Sequence, residues 1–323
     1  MKNTKSFRGY FMVALCFIHI LIHMGALNSL GVFMPVIAAE NGFTTTQVSL
    51  LFSFAGAGAA LTGMFITPRL LKRFDPRICM VFSTILTIIH LVWYSLAVNL
   101  WELFISATIA GIAIGIGLYA ATGAIIGNWF IKNRMFVLGI ISAASGIGSA
   151  VINLVSGSLI VEIGYRNAYL VIAAAVLVLG GLEQIFLRSH PKDVGQEPLA
   201  YSEDEQAALS VKKDLPGITF REALKTPAFY LLFIGGILGC ISYTGVNMYI
   251  VTMLKNNYSI PIDVASRYDA VLRIATALAL VLSGKIAEKL GAKIYILYTG
   301  IFFSIGTGII ILTGSAKPDF RCF

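Results

Sequence analysis

Charged residues are scarce in this chain. Of its 323 residues, 12% are Asp, Glu, Lys or Arg, whereas a soluble globular domain has about a quarter. Apolar residues make up 57% of the sequence, and its mean hydropathy is +0.83. This composition excludes a disordered chain and a collagen-like fibre. It also argues against a soluble enzyme, whose surface needs many more charges.

Motifs for catalysis and nucleotide binding are missing as well. The sequence contains no G-x-x-x-x-G-K-[ST] phosphate loop, no nucleophile elbow, no zinc motif and no close carboxylate pair. Its four cysteines have neither metal-ligand nor redox-pair spacing. We therefore expect neither an enzyme nor an ATP-driven pump, and we expect no cofactor and no bound metal.

Long apolar blocks separated by short basic clusters fill most of the chain. A helix rises about 1.5 Å per residue and the hydrocarbon core is about 30 Å thick, so one span needs about 20 apolar residues. The blocks of that length are 10–38, 46–67, 78–98, 101–127, 135–160, 167–187, 228–254, 265–287 and 293–314. Because lipid offers no partner to an unpaired backbone group, these blocks are predicted to be helices. The predicted fold class is an all-α membrane protein embedded in a lipid bilayer.

The basic residues are distributed unevenly between these blocks. The chain has 24 Lys and Arg against 16 Asp and Glu, a formal net charge of +8. If the N-terminus is cytoplasmic, 18 basic residues fall in inside segments and five in outside segments. This asymmetry indicates membrane topology rather than nucleic-acid binding, and we expect no nucleic-acid partner. We predict a multi-pass protein of the plasma membrane with a cytoplasmic N-terminus.

An internal repeat relates the two parts of the sequence. A shift of 216 residues places 284–293 on 68–77 and 256–264 on 40–48. Both aligned pairs occupy corresponding positions around the second span of their half. Repeats of this parallel kind are found in secondary transporters.

The longest polar stretch divides the chain into two membrane halves. The predicted organisation is a six-span N-terminal half (1–187), a cytoplasmic linker (188–227) and an incomplete C-terminal half of three spans (228–323). The linker contains an acidic run and four prolines, the last of them Pro227 at its end, which are typical of loops.

The repeated segment leads to a family resemblance. Gly284-Lys-Ile-Ala-Glu-Lys-Leu-Gly-Ala-Lys293 resembles the loop signature of the major facilitator superfamily, with a Gly, an acid, a base, a second Gly and further bases. The first copy departs from it, because Pro68, Lys72 and Asp75 replace the first Gly, the acid and the second Gly. The gating-loop residues that the resemblance implies are Arg73, Gly284, Glu288, Lys289 and Gly291.

Two further segments narrow the resemblance. Trp129-Phe-Ile-Lys-Asn-Arg134, followed by small residues, is similar to the fifth-span signature of monocarboxylate porters, which the oxalate/formate antiporter family shares. Those small residues are Gly139, Ala143, Gly146 and Gly148. Arg221-Glu-Ala-Leu-Lys-Thr-Pro-Ala-Phe-Tyr230 is also similar to the oxalate/formate family. The resemblance implies a bundle of twelve spans, of which this chain provides nine. We therefore expect a fragment, a truncated gene product, or a partner that supplies the other spans.

One pair of charged residues stands deep inside a predicted span. Arg273 lies in span eight and Asp269 lies one turn earlier, so the two share a helical face and can pair. Monocarboxylate porters have a similar Asp and Arg four residues apart. This implies that Arg273 binds an anionic substrate and that Asp269 takes a proton or tunes the arginine. The alternative is a structural pair that locks span eight to a neighbour.

Other polar residues in the spans are weaker candidates. His19 and His23 lie four residues apart in span one, and His23 is a candidate proton carrier because histidine titrates near neutral pH. Glu183, near the cytoplasmic end of span six, is expected to face water. The candidates for lining a cavity and bonding a carboxylate are Asn28, Tyr119, Tyr243 and Asn247. Packing and interhelical hydrogen bonding are the alternatives for these residues.

Small residues form stripes in spans four and five. The stripes contain Gly111, Gly115, Gly123 and Gly127 in span four and Gly139, Gly146 and Gly157 in span five. Because glycine lets helix backbones approach closely, we expect these faces to pack against other spans and to permit rocking.

Together these features predict a secondary active transporter. Its substrate is predicted to be a small organic anion, a monocarboxylate or dicarboxylate, carried by proton symport or anion exchange with alternating access. Two alternatives stay open: a multidrug or sugar porter of the same superfamily, and a non-transporting fragment or membrane sensor. The sequence gives no indication of the oligomeric state.

Overall fold

The protein is an assembly of helices. The structure is a computed structural model that describes residues 7–200, 220–290, 300–301 and 304–305, and every regular element within them is helical. The α-helices are α1 (Gly9–Asn28), α2 (Leu30–Asn41), α3 (Thr45–Leu61), α4 (Thr67–Arg73), α5 (Pro76–Leu96), α6 (Leu100–Ala113), α7 (Tyr119–Trp129), α8 (Arg134–Phe186), α9 (Phe220–Ala223), α10 (Pro227–Tyr258) and α11 (Ile262–Leu290).

Several of these helices follow one another directly and form continuous apolar stretches. The stretches long and apolar enough to cross one, among the described residues, are Gly9–Asn41, Thr45–Arg73, Pro76–Leu96, Leu100–Trp129 and Arg134–Phe186. They coincide with the first six predicted blocks, because the last stretch covers two of them. The helices α10 and α11 coincide with blocks seven and eight, whereas most of the ninth block lies outside the described residues. The prediction of an all-α membrane fold is confirmed.

The helix α8 covers two predicted spans because it bends sharply at one glycine. A straight helix of its 53 residues would be about 80 Å long, far more than a bilayer is thick. Gly164 breaks it, with φ 79° and ψ 160°, a backbone conformation that is essentially open to glycine alone. The two limbs, 134–163 and 165–186, therefore form spans five and six.

Two of the stretches contain a π-helical turn, and these turns meet. The turn Thr62–Ile66 joins α3 to α4, and the turn Ile114–Leu118 joins α6 to α7. The Thr67 hydroxyl, directly after the first turn, donates to the carbonyl oxygen of Gly115 inside the second turn (2.6 Å). This hydrogen bond holds the π-helical turns of spans two and four next to each other.

Side-chain caps fix where three of the helices begin. At the start of α3, Thr44 and Gln47 exchange hydrogen bonds in a capping box. The Asp75 carboxylate accepts from the Arg77 backbone N–H ahead of α5 (2.8 Å). Glu102 accepts from the backbone N–H of Asn99 at the start of α6 (3.3 Å). Each cap satisfies N–H groups that a helix leaves unpaired at its first turn.

Glycines bring several helix backbones into direct contact, as the stripes predict. A side chain at Gly111 would collide with the Ala55 carbonyl, and one at Gly148 would collide with the Leu21 carbonyl. Gly148 lies outside the predicted stripes; the stripe glycines in close helix contact, besides Gly111, are Gly115, Gly146 and Gly157. Among the described residues nothing lies close to Gly123 or Gly139, so the prediction is not met there, and Gly127 faces the Arg134 side chain. Not every member of a small-residue stripe lies at the contact, because the stripe is wider than the line along which two helices touch.

The apolar core has two clusters, one at each end of the bundle. The first lies away from the N-terminus, and there Phe33 and Tyr169 of the N-terminal half share a cluster with Val251 and Ala265 of α10 and α11. The second surrounds Trp129 and, within the described residues, draws only on the N-terminal half. The first cluster therefore joins α10 and α11 to the N-terminal helices.

Two segments predicted as gating loops are helical instead. Arg73 ends α4, where it is exposed and where its charge suits the helix C-terminus. Gly284, Glu288 and Lys289 lie in the last turns of α11, and Gly291 lies outside the described residues. The loop prediction is wrong here because hydropathy marks only the apolar part of a helix, and these helices continue beyond it.

The beginning of the predicted linker is attached to the N-terminal half. The Trp129 indole donates to the Arg188 carbonyl oxygen (2.9 Å), and the Leu199 N–H donates to the Trp129 carbonyl oxygen (2.9 Å). Residues 201–219 lie outside the described part of the chain. The division into two halves and a linker stays a prediction.

Candidate functional site

A buried ion pair on α11 is the centre of the candidate site. Arg273 Nε lies 3.2 Å from Asp269 Oδ1 and 3.4 Å from Asp269 Oδ2. Only 3% of Arg273 and none of Asp269 is exposed. The structure therefore brings together the two residues that the four-residue spacing predicts to pair.

A third residue, from the other half, completes this pair. Asn153 of the first limb of α8 donates from Nδ2 to Asp269 Oδ2 (2.5 Å). The Asn153 side-chain oxygen is buried and has no hydrogen-bond partner within the described residues, and the same holds for the Ser156 hydroxyl one turn later. Buried polar atoms nearly always have a partner. These two oxygens therefore mark a place where water or a polar ligand would be accepted.

Glycines on α8 explain why Asn153 reaches Asp269. A Cβ at Gly146 would lie 2.8 Å from the Arg273 carbonyl oxygen, and one at Gly157 would collide with the Ser266 side chain. Gly146, Asn153 and Gly157 are spaced seven and four residues apart, which places them on one helical face. The close approach of α8 to α11 thus carries an amide of the N-terminal half to the ion pair.

The chemistry of the pair suits an anionic ligand. Its two charges cancel, so the site is neutral and lies at the contact of the two halves. A guanidinium is planar and matches a carboxylate with two parallel hydrogen bonds.

Asn28 connects span one to this site through α8. Its side-chain amide donates to the Ser149 hydroxyl (3.0 Å), one turn before Asn153. Asn28 also lines a cavity of about 160 Å³ in the N-terminal half, together with Phe52, His90 and Tyr94. Polar groups thus run along the first limb of α8 from span one to span eight.

The other predicted cavity residues are placed less closely. Tyr119 begins α7 directly after a π-helical turn, and 45% of it is exposed. Tyr243 and Asn247 lie on α10, but their side chains are outside the described part of the chain. Their predicted role in binding stays a prediction.

A second polar cluster lies deep in the N-terminal half, where α1, α5 and the second limb of α8 meet. The Glu183 carboxylate bonds to His19 Nδ1. His23 Nε2 lies 2.9 Å from the Thr84 hydroxyl oxygen, and the centroids of the His19 and His23 rings lie 4.2 Å apart with the rings tilted by 35°. Both histidines are fully buried, and Glu183 is 3% exposed.

The expectation that Glu183 faces water is therefore wrong. Its position near a helix end suggested exposure, but α8 turns this residue towards α1. The sequence holds a signal for this: Val176, Gly180 and Glu183 are spaced four and three residues apart, and all three lie on the buried face of the limb. Continuing that stripe by one turn predicts burial of the carboxylate.

Comparison with known proteins gives matches over most of the chain. The sequence profile described as Major Facilitator Superfamily matches residues 15–320. The chain is similar to the cis,cis-muconate transport protein of Acinetobacter baylyi, with 27% identity over 299 residues that cover 91% of this chain and 69% of that protein. It is also similar to the fujikurins efflux protein of Gibberella fujikuroi, with 26% identity over 219 residues that cover 65% of this chain and 42% of that protein.

A solved structure has the same fold. It is a bacterial homolog to the human lysosomal transporter Spinster in an inward-facing and unoccupied conformation, with a TM-score of 0.65 and 20% identity. The match covers 90% of this chain and 64% of the other. At this identity the likeness concerns the fold alone. The chain spans about two thirds of the length of the muconate protein and of the Spinster homolog, and less than half of the efflux protein.

Proposed function

Because this chain belongs to the Major Facilitator Superfamily, we propose that it carries a small organic anion, a monocarboxylate or dicarboxylate, across the membrane by secondary active transport. The buried Asp269–Arg273 pair at the contact of the two halves carries the proposal. A charge inside a membrane costs at least about 2.5–3.5 kcal/mol, so an intramembrane ionisable residue indicates function by default. The similarity to a muconate transport protein, whose named cargo is an organic anion, points the same way.

In the proposed cycle, Arg273 changes partner. Without substrate, the guanidinium is neutralised by Asp269. An incoming carboxylate takes the guanidinium by two parallel hydrogen bonds, and Asp269 then either accepts a proton or keeps its bond to Asn153. The first outcome gives proton symport, and the second gives anion exchange. In the first case the occupied site stays neutral, which keeps the cost of crossing the low-dielectric core small. In the second case it carries one net negative charge while the anion is bound.

The remaining predicted residues have supporting roles in this proposal. Hydrogen bonds to the substrate would come from Asn28, Tyr119, Tyr243 and Asn247. A second proton carrier would be His23. Contacts at the helix ends that change as the halves rock would involve Arg73, Gly284, Glu288, Lys289 and Gly291. We place the N-terminus on the cytoplasmic side of the plasma membrane, on the distribution of basic residues.

The test is uptake of labelled carboxylates by proteoliposomes that contain the chain. Arg273→Gln should abolish saturable uptake, because a neutral amide cannot hold a carboxylate in the membrane interior. The matched control is Arg267→Gln on the same helix, since Arg267 also faces an acid one turn away, Asp263 at 3.6 Å, but is 66% exposed. Uptake by Arg273→Gln equal to that of Arg267→Gln would refute the proposal.

A second candidate is efflux of a neutral or cationic compound. The observation in its favour is the similarity to a protein named for efflux of fujikurins. Substrate charge separates the two candidates, because a neutral or cationic cargo has no use for Arg273. Uptake that neutral or cationic compounds inhibit, and that Arg273→Gln leaves intact, would favour efflux. A chain that moves nothing, while a longer form transports, would favour the non-transporting alternative.

A further inference from the structure

We propose that His19, His23 and Glu183 form a proton-binding site inside the N-terminal half, separate from the Asp269–Arg273 pair. As a coupling site it rests on the proposed function, whereas its ability to hold a proton does not. The sequence spacing suggests His23 as a proton carrier. The structure adds the Glu183 carboxylate, whose negative charge lowers the free-energy cost of burying a proton there.

The hydrogen bonds of His23 suit both protonation states of its ring. His23 Nδ1 lies 2.9 Å from the His19 carbonyl oxygen, which only accepts. His23 Nε2 lies 2.9 Å from the Thr84 hydroxyl oxygen, which also lies 3.1 Å from the Met80 carbonyl oxygen. When Thr84 donates to His23 Nε2, both ring bonds form with a neutral imidazole. When Thr84 donates to Met80 instead, both form with a protonated one.

Glu183 supplies the balancing charge. Its Oε1 atom bonds to His19 Nδ1 and accepts from the Gln184 side-chain amide (3.0 Å). The His19 and His23 rings lie 4.2 Å apart, tilted by 35°, and a ligand atom of each residue lies within 4.8 Å of one from Glu183, so the carboxylate is close to both rings. An imidazolium alone is costly to bury, but an imidazolium and a carboxylate together have no net charge.

The net charge of the cluster favours one bound proton, whichever of the residues carries it. With both imidazoles neutral and the carboxylate ionised, the cluster carries one negative charge in a buried site. One more proton, on His23 or on Glu183, brings the net charge to zero. His19 Nε2 and Glu183 Oε2 are buried without a partner within the described residues, so the cluster has further atoms able to carry this proton.

A proton fits the cluster better than a metal ion. One ligand atom from each of the three residues lies within 4.8 Å of the others, close enough for a metal site. A divalent ion on two neutral imidazoles and one carboxylate would leave a net positive charge in the buried interior. It would also need a His23 nitrogen that is already bonded to Thr84 or to the His19 carbonyl. We therefore assign a proton.

Within the described residues, the groups around the cluster supply no other counter-charge by contact. On α1, the Cys16 thiol is buried one turn before His19. On α5, Arg77 donates to the Gln184 carbonyl oxygen (3.0 Å), and Asp75 bonds to Ser189 and to the Arg77 N–H. Asp75 and Arg77 lie at the start of α5 and use their charges in these bonds.

The cluster is connected to the substrate site through α1. Two residues after His23, Gly25 packs against α8: a Cβ added at Gly25 would lie 2.7 Å from the Gly148 carbonyl oxygen. Two residues before Gly148, Gly146 packs against the Arg273 backbone. A shift of α1 when the proton enters or leaves is therefore transmitted through the first limb of α8 to α11.

The first experiment measures the proton without transport. The chain, with ¹⁵N-labelled histidine and in lipid nanodiscs, is studied by NMR and by infrared spectroscopy at neutral pH. We expect either a His23 ring with both nitrogens protonated or a protonated carboxyl band that Glu183→Gln removes. His90, whose ring contacts the Ser106 hydroxyl, is the internal reference for a neutral buried histidine. Absence of both signals, or a stoichiometric metal that His23→Gln removes, would overturn the assignment.

The second experiment separates proton coupling from substrate binding. Glu183→Gln and His23→Gln should lose proton-driven accumulation of the labelled anion while exchange of labelled for unlabelled anion continues. Glu162→Gln, which changes an exposed acid on the same helix, should keep both activities. Accumulation that survives in Glu183→Gln overturns the coupling role. If the unaltered chain exchanges no anion, the proposed function fails, and the proton site is judged by spectroscopy alone.

Discussion

Removing one charge of the buried Asp269–Arg273 pair should destabilise the chain, whereas removing both should restore stability without restoring transport. At the 3.2 Å separation of Nε and Oδ1, the attraction is about 5 kcal/mol at an effective dielectric constant of about 20. Either single change, Asp269→Asn or Arg273→Gln, leaves one buried charge without its partner. Such changes cost about 3–5 kcal/mol in the free energy of unfolding.

The double variant should recover most of that stability and none of the transport. With both side chains uncharged, no unpaired charge remains, and the Asn153 amide still finds an oxygen acceptor at position 269. Replacing a buried ion pair by neutral groups is often neutral for stability. Uptake should stay at background, because the anion has lost its guanidinium.

Thermal unfolding of the chain in detergent without substrate measures the first effect, and proteoliposome uptake measures the second. The control pair is Asp263→Asn and Arg267→Gln, whose exposed ion pair on the same helix should contribute at most about 1 kcal/mol. If the losses of the two single variants at the buried pair simply add in the double variant, the residues do not act as a pair. The reasoning about the site would then be refuted.

Two further predictions concern glycines. Gly164→Ala should destabilise the chain by about 1–3 kcal/mol, because its backbone conformation excludes a side chain; Gly181→Ala, with open space around it, is the control in thermal unfolding. Gly148→Ala should also destabilise, because the new methyl group would collide with the Leu21 carbonyl and separate α1 from α8. Gly139→Ala faces open space, so it should be neutral or stabilising by up to about 1 kcal/mol. Equal melting temperatures of Gly164→Ala and Gly181→Ala would contradict the backbone argument at Gly164. Equal melting temperatures of Gly148→Ala and Gly139→Ala would contradict the helix contact at Gly148.

Hydropathy and spacing predicted the parts of the fold that depend on one segment at a time. The spans follow from apolar length, and the Asp269–Arg273 pair follows from the four-residue turn of a helix. Both are local properties. The same locality explains why the ends of α4 and α11 were predicted as loops, since hydropathy does not report where a polar helix stops.

The parts that the sequence did not predict depend on two distant segments. Asn153 and Asp269 are 116 residues apart, and His19 and Glu183 are 164 residues apart. No periodicity within one helix reveals which face of another helix it will meet. The burial of Glu183 could be predicted from the buried stripe on α8, but its contact with His19 could not. For Asn153 the flanking glycines were visible as a stripe, without any sign of which span they would touch.

Each of the paired π-helical turns holds one residue more than an α-helix needs. The turn absorbs that residue, so the side chains beyond it keep the faces that a regular helix one residue shorter would give them. Deleting one residue from Thr62–Ile66 would therefore restore regular geometry and leave Thr67 directed towards Gly115. Either span can lose its irregular turn alone, without a matching deletion in the other.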